Sequence, residues 1–357
     1  MNFEKLITKN VQKLVPYLSA RRIGGHGHNF LNANESPKSE GYFLNSSNLN
    51  RYPDCQPEDL VERFADYAGV HKSQVIATRG SDEAIGLLVR TFCETKKEGI
   101  LIAPPTYGMY EVAANTNDVL VATANRNPDF TLNAQILIDA ANKSEFPIKV
   151  IFIDSPANPL GIVFDKTELE KLLKALPDTL VVLDEAYIEF APKEADLTYM
   201  VNEYENLVVT RTLSKAFALA GIRCGFAIAN EKVIKAMLKV IDPYPICDPV
   251  AQIAVQALSD HGVEMTRQRA LGCIERRVQL EKDLKALPIV KNIHVSFGNF
   301  LLVEFADGPK VYQEMGLKGV ILRSFETKKG LKNCVRISIG SEAELEELMR
   351  CLKTLEI

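Results

Sequence analysis

The stretch Thr210–Phe226, TRTLSKAFALAGIRCGF, sets a lysine, Lys215, among hydroxyl and small apolar residues, with Arg223 eight positions on. A lysine kept for solubility usually has charged neighbours. This one follows Thr210, Thr212 and Ser214 and precedes a run of Ala, Leu and Gly. Either the segment is a buried strand–turn–strand carrying two stray cations, or the two cations do chemistry at a strand end.

The flanking sequence bears on that choice. QVIAT (Gln74–Thr78) reads as a strand that stops at RGSDEA, the start of a helix. ILIAPP ends in two prolines, DVLVAT follows, and KVIFIDSPANPLG runs from a strand into a Pro/Asn turn. TLVVLDEAY, NLVVTRT and RCGFAIAN read as further strands. DKTELEKLLKAL reads as a helix with Asp165 at its N-cap and Glu168 three residues on, a capping-box pattern. Apolar runs separated by helices predict a mostly parallel sheet covered on both faces. After about Ile241 the texture changes. DPYPICDP predicts a domain joint, followed by a long charged helical region from about Val250 to Leu287. FLLVEF, GVILR and CVRISIG predict a small mixed sheet closed by a helix over SEAELEELMRCLKTL. The expected fold is α/β: a large domain over 41–242, a smaller α+β domain over 243–357, and an N-terminal segment, 1–40, packing on the smaller one.

Composition narrows the function class. The 357 residues are 46% hydrophobic and 25% charged, which supplies a large core, and the net charge of −4 leaves no basic block for nucleic acid. No apolar run approaches the roughly 18 residues that span a bilayer, and the opening MNFEKLITKNVQKLVPYL lacks the apolar core of a signal peptide. The seven cysteines are odd in number and have no zinc spacing, so buried, reduced thiols in a cytoplasmic protein are expected. HGH at His26–His28 reads as a glycine-rich loop, and no metal is expected.

In open α/β sheets ligands bind beyond the carboxyl ends of the strands. Those ends carry Gly80, Ser81 and Asp82 at a helix start, Tyr107 in PPTY, Asn158 in a stiff turn, Asp184 with Tyr187, then Ser214, Lys215 and Arg223. Each has a plain structural reading: a helix cap, a core tyrosine, an Asx turn, a surface lysine. Together they meet the needs of pyridoxal phosphate. A lysine joins its aldehyde and an acid holds its ring nitrogen protonated. Amide and phenol donors tune its phenolic oxygen, an aromatic stacks on its ring, and arginine, serine and helix N–H groups hold its phosphate.

The chain resembles the fold-type I, class II aminotransferases over nearly its whole length. LVPYLSARR, LNANESP, NRYPDCQP, TRGSDEAI, PPTYGMY, SPANPLG, LDEAYIEF, RTLSKAFALAGIRCGF, ILRSF and CVRISIG carry the resemblance. It implies that Lys215 anchors the cofactor covalently and shuttles the substrate proton, and that Asp184 bonds the pyridine nitrogen. Asn158 and Tyr187 would bond the phenolic oxygen, and Tyr107 would stack on the ring. Ser81, Asp82, Ser214 and Arg223 would cradle the phosphate. Tyr52 would reach the phosphate across a homodimer interface. Tyr17, Arg323 and Arg336 would meet the anionic end of the substrate. RTLSKAFALAGIRCGF with NRYPDCQP resembles the branch acting on histidinol phosphate, which implies ping-pong transamination with 2-oxoglutarate and glutamate in histidine biosynthesis. The alternatives are an aromatic amino-acid aminotransferase and a decarboxylase of phosphorylated amino acids. A regulator built on the same fold would need a DNA-binding domain, and a nucleotide enzyme would need GxGxxG or GxxxxGK[ST], which the sequence lacks.

Overall fold

The computed structural model describes residues 3–17 and 26–356, so LVPYLSARR lies partly outside the described residues. A short first strand, β1 (Asn29–Phe30), precedes the main sheet. That sheet is built from β2 (Val75–Thr78), β3 (Gly99–Ile102), β4 (Leu120–Thr123), β5 (Ile148–Asp154), β6 (Leu180–Asp184), β7 (Leu207–Thr212) and β8 (Gly225–Ala229), in the order β2-β8-β7-β6-β5-β3-β4. All neighbours are parallel except β8, which runs antiparallel to both β2 and β7. The carboxyl ends of the other six strands therefore share one edge.

The apolar runs are continuous because both faces are covered. Side chains alternate along a strand. Thus Ile151, Ile153, Val181, Leu183 and Val209 enter one core, while Val150, Phe152, Val182 and Val208 enter the other. Phe226 of β8 is fully buried and stacks on Phe64 with ring centroids 3.5 Å apart. Removing a buried ring of this kind costs about 3–5 kcal/mol.

The C-terminal strands form an antiparallel sheet, not the mixed one expected. β9 (Val290–Ile293), β10 (Phe300–Phe305), β12 (Arg323–Ser324) and β13 (Cys334–Ser338) lie in the order β12-β13-β10-β9. GVILR is split: β11 (Val320–Ile321) pairs in parallel with β1, and β12 turns to β13. The helical region expected from about Val250 to Leu287 consists of two helices, Asp248–Ala257 and Asp260–Lys285, with Ser259 capping the second by accepting from Gly262 N. Asp165 caps its helix as expected, but Glu168 does not complete a capping box; its carboxylate accepts from Ala134 N at 2.8 Å, on a neighbouring helix. The N-terminal segment touches both parts. Asn10 Nδ2 donates to Asn115 O at 2.9 Å, on the large sheet's side, and Asn29 Nδ2 donates to Glu344 O at 2.9 Å. All seven cysteines are free thiols, and Cys93, Cys224, Cys273 and Cys334 are buried. No helix among the described residues is long and apolar enough to cross a membrane.

Candidate active site

The shared edge of strand ends opens on a cavity of about 730 Å3. Tyr17, Ser81, Asp82, Tyr107, Asn158, Asp184, Tyr187, Ser214, Lys215, Arg223, Arg323 and Arg336 all line it. Tyr52 does not. It is exposed and stacks on Tyr244, ring centroids 4.4 Å apart, outside the cavity.

Lys215 follows β7, and its Nζ donates to Ala33 O at 2.9 Å. It lies 5.5 Å from the centre of the Tyr187 ring. Asp184 ends β6, fully enclosed. Its Oδ2 accepts from the Tyr110 hydroxyl at 2.8 Å and its Oδ1 from Ala186 N at 3.2 Å. Burial pushes the Asp184 carboxyl up to about 6, the Tyr110 hydrogen bond opposes the shift, and the nearby Asp154 adds to it. Behind the sheet, Arg211 of β7 is buried in ion pairs with Glu185 and Asp196, each at 2.8 Å, and Glu189 at 3.4 Å. These fasten the chain just after Asp184 to the strand that leads to Lys215. Breaking one partner of such a buried set costs far more than the set contributes over an apolar replacement.

A helix, α1 (Ser81–Phe92), starts at the end of β2. It is entered from Gly80, φ +74°, without a side-chain cap, so the first N–H groups of the helix belong to residues that line the cavity. A Cβ at Gly80 would meet Arg223 Nη2 at 2.5 Å, and one at Gly225 would meet Ser81 N at 2.4 Å. The glycines thus permit the close approach of helix, strand and guanidinium. Arg223 itself has φ +57°. Its Nη1 donates to Ser214 Oγ at 3.1 Å and its Nη2 to Asp82 Oδ2 at 3.2 Å. Asp82 also accepts from the Tyr107 hydroxyl at 2.9 Å, so its side chain orients an arginine and an aromatic ring.

At the opposite end, Arg336 of β13 donates to Asn158 Oδ1 at 2.5 Å and to Asn32 O at 2.7 Å. Burial draws the Arg336 guanidinium down to about 10. Arg336 Nε and Arg323 Nη1 are buried without a hydrogen-bond partner among the described residues. A buried arginine without a carboxylate is costly unless an anion completes it. Neither arginine is ion-paired with a carboxylate among the described residues, so a structural salt bridge does not account for them.

Sequence reasoning passed over several contributors. Asp154 ends β5 in register with Asp184 and accepts from Thr106 Oγ1 at 2.8 Å, Tyr107 N at 3.2 Å and Asn158 N at 2.8 Å. The signal that singled out Asp184, an acid closing an apolar run, was present in KVIFID as well. Tyr110 stands three residues after Tyr107 in PPTYGMY. Asn34, in LNANESP, is fully buried at φ +53° and donates to the Tyr187 hydroxyl at 3.0 Å.

An amine, a buried carboxyl, amide and phenol groups, and an Arg–Ser–helix anion cradle thus converge on one cavity. This donor set fits a flat cofactor with an aldehyde, a ring nitrogen, a phenolic oxygen and a phosphate. Among the described residues no group of His, Cys, Asp and Glu is arranged to hold a metal.

Residues 28–352 match the family model for aminotransferase class I and II, and the chain belongs to that family. It is 47% identical to the histidinol-phosphate aminotransferase of Aeromonas salmonicida, over 99% of this chain and 98% of that one. It is 43% identical to histidinol-phosphate aminotransferase 1 of Pasteurella multocida, over 99% of this chain and 100% of that one. The fold is shared with the Sinorhizobium meliloti histidinol-phosphate aminotransferase solved in complex with pyridoxal-5'-phosphate. The TM-score is 0.84 at 21% identity, covering 98% of each chain.

Proposed function

We propose that this chain is a pyridoxal-phosphate-dependent histidinol-phosphate aminotransferase of histidine biosynthesis. It moves the amino group between histidinol phosphate and 2-oxoglutarate, giving imidazole-acetol phosphate and glutamate. The observation that carries the substrate reading is the pair of arginines, Arg323 and Arg336, whose buried N–H groups lack hydrogen-bond partners among the described residues and line the same cavity as the lysine. Histidinol phosphate presents a phosphate and no carboxylate, and glutamate presents two carboxylates. Guanidinium forks accept either anion.

Bound pyridoxal phosphate supplies an electron sink for the carbanion left when the substrate loses its Cα proton. Lys215 is its covalent anchor, and its Nζ, once free, carries that proton. Asp184, ionised, holds the ring nitrogen in its protonated state. Asn158 and Tyr187 bond the phenolic oxygen, and Tyr107 covers the ring. Ser81, Ser214, Arg223 and the first N–H groups of α1 hold the phosphate, with Asp82 orienting Arg223. Tyr17 adds a hydroxyl at the substrate end. With the chain divided into a segment 1–40, a cofactor-binding domain 41–242 and a smaller domain 243–357, each part supplies lining to the cavity, through Ala33, Lys215 and Arg336 among others. The enzyme acts in the cytoplasm as a homodimer, and the exposed Tyr52 of each subunit completes the phosphate site of the other.

Glutamate formation from histidinol phosphate and 2-oxoglutarate tests the reaction. Without 2-oxoglutarate, no more than one amino group per chain should be transferred. Carbon dioxide released from a phosphorylated amino acid that keeps its carboxylate, with no glutamate formed from histidinol phosphate, would replace the transaminase with a decarboxylase. Mixing Tyr52→Phe chains with Lys215→Ala chains should restore one intact site per mixed dimer. Failure to restore activity, or an active monomer in sedimentation, would remove the shared-site reading.

A further inference from the structure

Residues 32–34 touch three groups of the cavity: Asn32 O accepts from Arg336, Ala33 O accepts from Lys215, and the Asn34 amide reaches Tyr187. The third contact has a direction. Asn34 N donates to Ser338 Oγ at 2.8 Å, and the Ser338 hydroxyl donates to Asn34 Oδ1 at 2.9 Å. Both residues are buried, and Ser338 Oγ has no other acceptor among the described residues. Turning the Asn34 amide over would leave the serine proton unpaired, so the NH2 group is held toward Tyr187.

Asn158 is oriented by the same logic. Its Oδ1 accepts from Arg336, which can only donate, so its NH2 also faces the Tyr187 hydroxyl, at 3.5 Å. Among the described residues Tyr187 Oη is therefore approached by donors alone, at 3.0 Å from Asn34 and more weakly from Asn158. Its own proton has one direction left, into the cavity that it lines.

We infer that Asn34, locked by Ser338, is a positioning residue that fixes Tyr187 as a hydrogen-bond donor to an electron-rich oxygen in the cavity. This rests on the function proposed above, in which that oxygen is the phenolic one of the cofactor. It extends that reading by naming what sets the polarity of the tyrosine. The chain Arg336–Asn158–Tyr187–Asn34–Ser338 also links the substrate's anion site to the donor that acts on the cofactor.

Two substitutions separate polarity from packing. Asn34→Asp keeps the shape but turns the donor into an acceptor, which draws the Tyr187 proton out of the cavity. Asn34→Gly suits the positive φ and removes the side chain, leaving Tyr187 free to donate. The first readout needs no cofactor. The tyrosine Raman doublet of the cofactor-free protein, taken as the difference from Tyr187→Phe, should report a phenol that accepts as well as donates in the wild type. In Asn34→Asp it should shift toward a phenol that only donates.

The second readout is cofactor affinity. Asn34→Asp should weaken pyridoxal phosphate about ten-fold, the worth of one charge-assisted hydrogen bond, and Asn34→Gly should weaken it less. The pH midpoint of the bound cofactor's absorbance should rise, because an oxygen that loses a donor becomes more basic. In a Tyr187→Phe background most of the loss of affinity caused by Asn34→Asp should vanish.

An unchanged Raman doublet in Asn34→Asp overturns the inference. So does a glycine variant as weak as the aspartate one, or an undiminished effect without the tyrosine hydroxyl. Wild-type protein that binds no pyridoxal phosphate would sink the proposed function, while the Raman comparison would still decide the role of Asn34.

Discussion

The two ends of the cavity are furnished differently. At the phosphate-cradle end the polar side chains are already partnered with one another: Arg223 with Asp82 and Ser214, Asp82 with Tyr107, Ser214 with Thr212. At the other end Arg323 and Arg336 keep buried N–H groups without partners among the described residues. The first end is organised before any ligand arrives, which spares the cost of ordering it on binding. The second is incomplete on its own and gains most from an anion. A transaminase must hold one group permanently and admit two different substrates in turn, and the contrast matches that division.

Four measurements break or sharpen this comparison. Lys215→Ala should lower transamination by about 10³-fold or more, the scale of losing a positioned proton carrier. The melting temperature should change little, since the side chain's one hydrogen bond among the described residues is to Ala33 O. Near-normal turnover in that variant would remove the lysine from the chemistry.

Arg336→Lys should raise KM for both histidinol phosphate and glutamate. The rise should be about ten-fold or more, because a charge-assisted contact is worth about 1.5–3 kcal/mol and lysine loses the paired geometry. Arg323→Ala should be milder and should penalise histidinol phosphate more than phenylalanine. Equal small losses on every substrate, with a lowered melting temperature, would mean that the two arginines serve the fold.

The smallest expected effect belongs to the organised end and is one of pH. In the cofactor-free protein Asp184 titrates at about 6, above its ordinary 3.8. The folded state therefore holds the proton more tightly than the unfolded chain. The stability this contributes is fully present below pH 3.8 and is lost as pH rises through about 6. Asp184→Asn should flatten that part of the stability curve. Denaturant titrations across this range would show the flattening.

The strand-end residues of the cavity were the more legible in the sequence. Lys215, Asp184, Asn158 and the GSD helix start each sit where an apolar strand stops, so chain order alone brings them to one edge. Asn34 was not legible as a site residue because its partner Ser338 lies 304 positions away and meets it only after the C-terminal sheet docks. Register defeated the reading of GVILR for the same reason: its halves pair with strands from opposite ends of the chain. Glu168 matched a local capping rule, yet its carboxylate is taken by another helix. Tyr52 stands in the proline-bounded motif NRYPDCQP, and within one chain its ring meets only Tyr244 in an aromatic pair among the described residues.

The clearance between β8 and the first turn of α1 has a consequence of its own. With 2.4 Å between a would-be Cβ at Gly225 and Ser81 N, strand thickness acts as the gauge that sets the height of the helix mouth. A methyl at residue 225 would meet backbone first, Ser81 N and Gly80, and would lift the amides of the helix start as a shim lifts a bearing. The electrostatics of that end are therefore set by a mechanical tolerance narrower than one carbon atom, and only a residue without a side chain meets it.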